Sequence, residues 1–261
     1  MASIASSPVL PVRLAPGSRA GLAQAAFAGR CRKGASCTEP LRGLRVHIGP
    51  NGVEGELCLP PLARGLVIFA PGSGGSGHNA CHLCVTKSLH GQGLGALLVD
   101  LLTPREAHDR TKVFDIDLLS DRLTEAIEWT RSEAGVRDLP IGLFGAEIGG
   151  AAVLAAAAAN RDRIFGVVTH GGRPDMVMPM LRAVRTPTLL IASDADPLVL
   201  ALNRLALDML KSNGQIAVIA SADLPADGAA ANEQIAQLAA EWFAARLATA
   251  PQAQPQARQH A

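Results

Sequence analysis

Apolar residues in the middle of this chain fall into short unbroken runs, separated by longer stretches with helical spacing. Six runs, 66–69, 96–99, 141–144, 166–169, 188–191 and 217–219, have the length and continuous apolar character of strands buried on both faces. Between them, Leu119, Leu123, Ala126 and Ile127 form a helical stripe ahead of Gly135, read as its stop. Ile235, Leu238, Ala239, Trp242 and Phe243 form another, with Trp129 and Trp242 read as packing residues. The run 148–159 is almost wholly Ala, Gly, Val and Leu and reads as a buried helix. Ahead of the six runs, 44–48 and 53–59 flank the turn cluster Gly49-Pro50-Asn51-Gly52, which predicts an antiparallel hairpin. Strands alternating with helices predict an α/β fold, a mostly parallel sheet with helices on both faces. No repeat or linker divides it, so one domain is expected over 41–248.

The ends differ. Residues 1–38 hold no acid but carry Arg13, Arg19, Arg30, Arg32 and Lys33 among Ala, Ser and Gly. Residues 1–40 therefore read as a disordered or targeting-like extension, and Ala, Gln and Pro make 249–261 a disordered tail. A formal charge of +1 with 3% aromatic residues leaves neither an electrostatic funnel nor stacking platforms for nucleic acid. No apolar run approaches the ~20 residues of a membrane span. Five cysteines, at 31, 37, 58, 81 and 84, make no even disulfide framework, so a reducing cytoplasm is expected, organelle import being the alternative.

In such a sheet ligands sit outside the carboxyl ends of the strands. After the first core run comes Pro71-Gly72-Ser73-Gly74-Gly75-Ser76-Gly77-His78, a glycine loop whose N–H groups could cradle a phosphate or a developing oxyanion. It lacks the Gly-Lys-Ser/Thr of a P-loop, its G-x-G-x-x-G is weak, and no cofactor is expected. The segment Leu143-Phe144-Gly145-Ala146-Glu147-Ile148-Gly149-Gly150 has the form of a nucleophile elbow, strand to sharp turn to helix, with Glu147 where a serine would attack.

With Asp100-Leu101-Leu102-Thr103-Pro104, His170-Gly171-Gly172-Arg173-Pro174-Asp175, the stretch 187–196 and Leu202-Asn203-Arg204, these segments resemble the α/β-hydrolases, within them the dienelactone-hydrolase-like group sometimes fused to phosphoribosyltransferase domains. The resemblance spans about residues 45–247 and implies the α/β-hydrolase fold. It also implies a Ser, Asp, His triad. Carried over, the acid is Asp196, with Asp194 a substitute, the nucleophile position holds Glu147, and Asp223 stands where the histidine belongs. It places Gly72, Ser73, Gly74, His78, Ala146, Ile148 and Arg173 around a ligand.

Without hydroxyl or imidazole the acyl-serine route is closed. The expected function is a non-hydrolytic descendant holding a small ligand or a partner in the old pocket. Two alternatives stand beside it. One is an active hydrolase of small esters or lactones, with Glu147 as nucleophile and His170 or His78 as base. The other is a metal-binding protein. If Glu147, Asp196 and Asp223 converge, their charges demand a proton or a cation. The segment His78-Asn79-Ala80-Cys81-His82-Leu83-Cys84 offers metal candidates His78, Cys81, His82 and Cys84 without a second Cys-x-x-Cys, and a redox pair is a further reading. The competing reading makes the cysteines small buried residues and the histidines solvated or capping. His47 and His90 read as surface residues without partners, and Arg173 as either a structural tie or an anion reader.

Overall fold

The structure is a computed structural model, which describes residues 43–72, 80–210, 213–220 and 228–249. The hairpin strands are β1 (Leu44–Ile48) and β2 (Val53–Cys58). Then follow β3 (Gly65–Ala70), α1 (Ala80–Gly91), β4 (Leu94–Val99), α2 (Arg110–Val113), α3 (Ile116–Ser132), β5 (Ile141–Ala146) and α4 (Glu147–Ala159). The remainder is β6 (Ile164–His170), α5 (Met178–Leu181), β7 (Thr188–Ser193), α6 (Pro197–Leu210), β8 (Gly214–Ile219) and α7 (Ala229–Thr249).

The strands make one sheet in the order β1-β2-β4-β3-β5-β6-β7-β8. β1 and β2 are antiparallel and β2 runs antiparallel to β4, while β4 through β8 are parallel. Strands buried on both faces feed two cores by period-two alternation. Leu66, Ile68 and Ala70 enter the layer built with α3, α4 and α6, whereas Val67 and Phe69 enter the layer built with α1 and α7. α3 begins where the Asp115 carboxylate accepts the Leu118 N–H at 3.0 Å.

Several boundaries differ from the sequence reading, most strands running one to three residues beyond their apolar runs. β8 starts at Gly214, because an edge strand half open to water has no continuous apolar run at its start. α3 stops at Ser132 with Glu133 as its cap, so Gly135 belongs to the following turn. α7 runs through Thr249, one residue into the stretch assigned to the tail. The extension over 1–40 and residues 250–261 lie outside the described residues. Among the described residues no helix is long and apolar enough to cross a membrane.

Candidate functional site

The elbow is built by close packing. Ala70 and Gly145 are neighbours across β3 and β5, and the first turn of α4 lies directly over both strand ends. A Cβ on Gly149 would run into the carbonyl oxygens of Ala70 and Pro71, and one on Gly145 into the backbone of Gly149. That constraint leaves Glu147 in the left-handed region at φ 49°. For a non-glycine residue this costs roughly 1–2 kcal/mol. Glu147 is exposed at the tip of the turn. Its carboxylate lies over the start of the glycine loop, with Oε2 2.7 Å from where a Gly72 Cβ would stand.

Around it the strand ends bring charge. His170 closes β6 and is registered with Ala146, so it shares a sheet face with the residue before Glu147. Burial pushes the imidazole pKa below its ordinary value, partly offset by the negative charge of Glu147. The ring is therefore neutral at pH 7. The Arg173 N–H donates to the Glu147 carbonyl at 3.1 Å. The Arg173 guanidinium grips Asp175 with two hydrogen bonds, of 2.9 and 2.8 Å. Its pKa is raised by Asp175 first and also by the charge of Asp196. Arg173 is thus a cation already matched by carboxylates, which favours the structural-tie reading. Asp196 is exposed and caps α6, its Oδ1 accepting the Val199 N–H at 3.0 Å. Asn203, fully buried, donates from Nδ2 to the Gly172 carbonyl at 3.0 Å and fastens the Gly171-Gly172 turn to α6.

Beside the elbow opens a cavity of about 410 Å³. Gly72 and Ile148 border it on the elbow side, and the segment 100–104, with His108, Val113 and Leu119, forms the remaining wall together with Glu54. Of the candidate ligand-binding residues, Gly72 and Ile148 reach this space, while Ala146 is buried beneath the turn. The outer wall was not anticipated as part of the site. Its shape comes from a capping box at Thr103-Pro104-Arg105-Glu106. Glu106 Oε2 accepts both the Thr103 N–H and its hydroxyl, each at 3.0 Å, and the Glu106 N–H donates back to Thr103 Oγ1 at 3.3 Å. Lys112 donates to Glu106 Oε1 at 3.1 Å, and the largely buried Arg122 stands 3.8 Å from the same oxygen.

The Thr103 N–H is the foremost of the groups that hold the Glu106 pKa down to about 2. A depressed carboxylate stabilises the fold above the unfolded value near 4.5 and loses that contribution as pH falls toward 2. Glu106→Gln should therefore cost about 1–2 kcal/mol at pH 7. Urea melts from pH 7 down to pH 3 check this. The gap to the wild type should narrow only below about pH 4.5; a gap constant down to pH 3 would refute the ionic role.

The remaining candidates separate. His82 is not solvated. Its side chain is wholly buried, edge-on to Phe69 and Phe144 with ring centroids 5.5 and 5.9 Å away. Cys84 is buried, and burial pushes the Cys81 thiol up to about 12, far from the thiolate that metal or redox chemistry requires. Among the described residues no group of three or more His, Cys, Asp or Glu side chains could hold a metal. His90 is not a bare surface residue: its ring Nε2 lies 3.2 Å from the Cys58 carbonyl, whereas His47 is exposed. Ser73, Gly74, His78 and Asp223 lie outside the described residues.

This geometry has relatives. The crystal structure of a dienelactone hydrolase from Anabaena variabilis is 38% identical and superposes with a TM-score of 0.71, over 77% of this chain and 95% of that one. The chain belongs to the dienelactone-hydrolase family of α/β-hydrolases. Est1E from Butyrivibrio proteoclasticus, at 17% identity and a TM-score of 0.66, shares the fold. Two Mycobacterium tuberculosis proteins, provisionally named phosphoribosyl transferases, are 41% identical over 211 residues, 80% of this chain and 48% of theirs. The chain thus spans about half the length of the curated relatives it matches. No family model matches it. Within the dienelactone-hydrolase family, this chain presents a carboxylate at the elbow tip.

Proposed function

We propose that this chain is a non-hydrolytic member of its family, with a degenerate triad, that binds a small ligand in the cavity beside Gly72. The observation that carries the reading is the position of Glu147, a carboxylate lying over Gly72 at the mouth of the glycine loop. Acyl transfer builds negative charge on the attacked carbonyl oxygen, and such a loop serves by meeting that charge with N–H donors. A resident carboxylate opposes it. At roughly 4 Å and an effective dielectric constant of about 20, two unit charges repel by about 4 kcal/mol. That is about a thousandfold in rate. The absence of a serine hydroxyl at this position removes the ordinary nucleophile as well.

One observation favours a second reading. His170, kept neutral by burial and close enough to feel the charge of Glu147, has the protonation state of a general base. Glu147 would then attack the acyl carbon and expel the alcohol, leaving an anhydride that His170-activated water hydrolyses. Hydrolysis of p-nitrophenyl acetate by the wild type, beside Glu147→Ala and His170→Gln, decides between them. All three should run at the rate without enzyme. Turnover by the wild type that both substitutions abolish would replace the binding reading with the catalytic one.

A further inference from the structure

We infer that the β8 edge of the sheet, with the flank of α6 above it, pairs with a second copy of this chain across a two-fold axis. Among the described residues β8 has a strand partner on one side only, β7. The Asp194 N–H, just past β7, donates to the Ile219 carbonyl, so the backbone groups of Ile219 face β7. Alternation along the strand then turns the N–H and C=O groups of Gly214, Ile216 and Val218 outward. An open row of this kind is a template for another strand, and edges are ordinarily blunted by charge, proline or a bulge. The opposite edge, β1, is blunted, with Arg45 and His47 exposed on it. β8 carries neither charge nor proline and pairs with β7 without a bulge.

The edge complements itself. Two copies set antiparallel about an axis through Ile216, perpendicular to the sheet, place Ile216 opposite Ile216 and Gly214 opposite Val218. Every outward N–H and C=O of the three residues then has a partner. The same axis brings α6 beside α6 on one face of the sheet. Asn203 of α6 holds the Gly172 turn and Leu207 lies against Gly214; next round the helix, past Leu207, come Arg204 and Asp208, which overhang the edge. Both are exposed, and neither belongs to an ion pair among the described residues. Their level on the helix fits the axis. A Cβ on Gly214 would stand 2.9 Å from the Leu210 Cβ, which fixes where helix and strand are level. Ile216 lies about 7 Å along the strand from there. Because α6 runs the opposite way, residue 206 lies about 6 Å along the helix in the same direction. Positions 204 and 208 straddle 206, so Arg204 of each copy faces Asp208 of the other, with Leu205, 57% exposed, beside them. An unrelated strand could satisfy the backbone of β8; a second copy satisfies the backbone and both charges.

The test measures the mass of the full chain by sedimentation equilibrium from low to high micromolar concentration, for the wild type, Arg204→Glu, Asp208→Arg and the double swap. The wild-type mass should rise toward that of a dimer. Each single substitution should weaken association at least about tenfold by setting like charges opposite each other, and the double swap should restore it. Hydrogen exchange reads the strand: the Ile216 and Val218 amides should become protected as concentration rises in the wild type and the double swap, and should exchange fast in the single variants. A wild type that stays monomeric throughout overturns the inference. So does a dimer whose mass ignores the single substitutions, or one in which the β8 amides gain no protection. Amides protected equally at all concentrations and in the single variants would show that the chain itself covers this edge, and would overturn it as well.

Discussion

Glu147→Ser combined with Asp223→His is expected to hydrolyse p-nitrophenyl acetate at least about a hundredfold faster than the wild type. Most of what a serine triad needs besides those side chains is already built. The elbow residue is held at φ 49°, exposed, over Gly72. Asp196 lies exposed in the loop after β7, where the resemblance implies the acid. Replacing the carboxylate by a hydroxyl removes the charge that opposes an oxyanion, and an imidazole at 223, where the resemblance implies the histidine, would supply the proton path. Each substitution alone should give little, since triad members act as a unit and a lone serine or histidine recovers only a small part of the rate. Asp196→Asn, added to the double variant, should take the gain away while keeping the cap on α6, because an amide oxygen can still accept the Val199 N–H. A folded double variant no faster than the wild type would mean that the site has lost more than two side chains.

The fold was legible because strands buried on both faces leave continuous apolar runs and the helices between them leave stripes. The ends of β5 and β6 were less so. Gly145, Ala146 and His170 continue the strands, yet the sequence pattern breaks there, where strand gives way to turn. The elbow was readable from glycine spacing, since Gly145 and Gly149 are dictated by backbone contact. What the residues around it do was not. Asn203 as the fastening of the Gly172 turn depends on a contact between residues 31 positions apart, whereas Asp196 as a helix cap and Arg173 as the grip on Asp175 are local contacts, three and two positions apart, in which the charge itself drew the reading toward catalysis or anion binding. The cavity wall had a local signal, the Thr-x-x-Glu capping box with proline after its threonine, which the segment 103–106 carries without any apolar periodicity. His82 misled because a histidine near cysteines suggests metal, whereas its neighbours in space are two phenylalanines of the strands beneath α1. His90 likewise needed the fold to bring Cys58 beside it.

Gly149→Ala is expected to destabilise the protein by 2 kcal/mol or about that, against the grain of helix propensity. Alanine in place of glycine inside a helix is ordinarily worth about 1 kcal/mol of added stability. Position 149 lies in the first turn of α4 and is buried, but the new methyl would meet the carbonyl oxygens of Ala70 and Pro71, which are backbone atoms and cannot swing aside. Either α4 lifts from the sheet or the end of β3 moves, and overpacking of this kind costs about 1–3 kcal/mol or more. Gly91→Ala is the control. It sits in the last turn of α1 with nothing within 4 Å of the added Cβ and a φ outside the left-handed range. It should therefore be neutral or gain up to about 1 kcal/mol. Urea midpoints at constant slope measure both. The same displacement would draw Glu147 away from Gly72, so the two effects are linked: whatever loosens the elbow packing also moves the carboxylate. A Gly149→Ala protein as stable as the wild type would show that α4 does not lie as close to β3 as the elbow geometry requires, and the placement of Glu147 over Gly72 would fall with it.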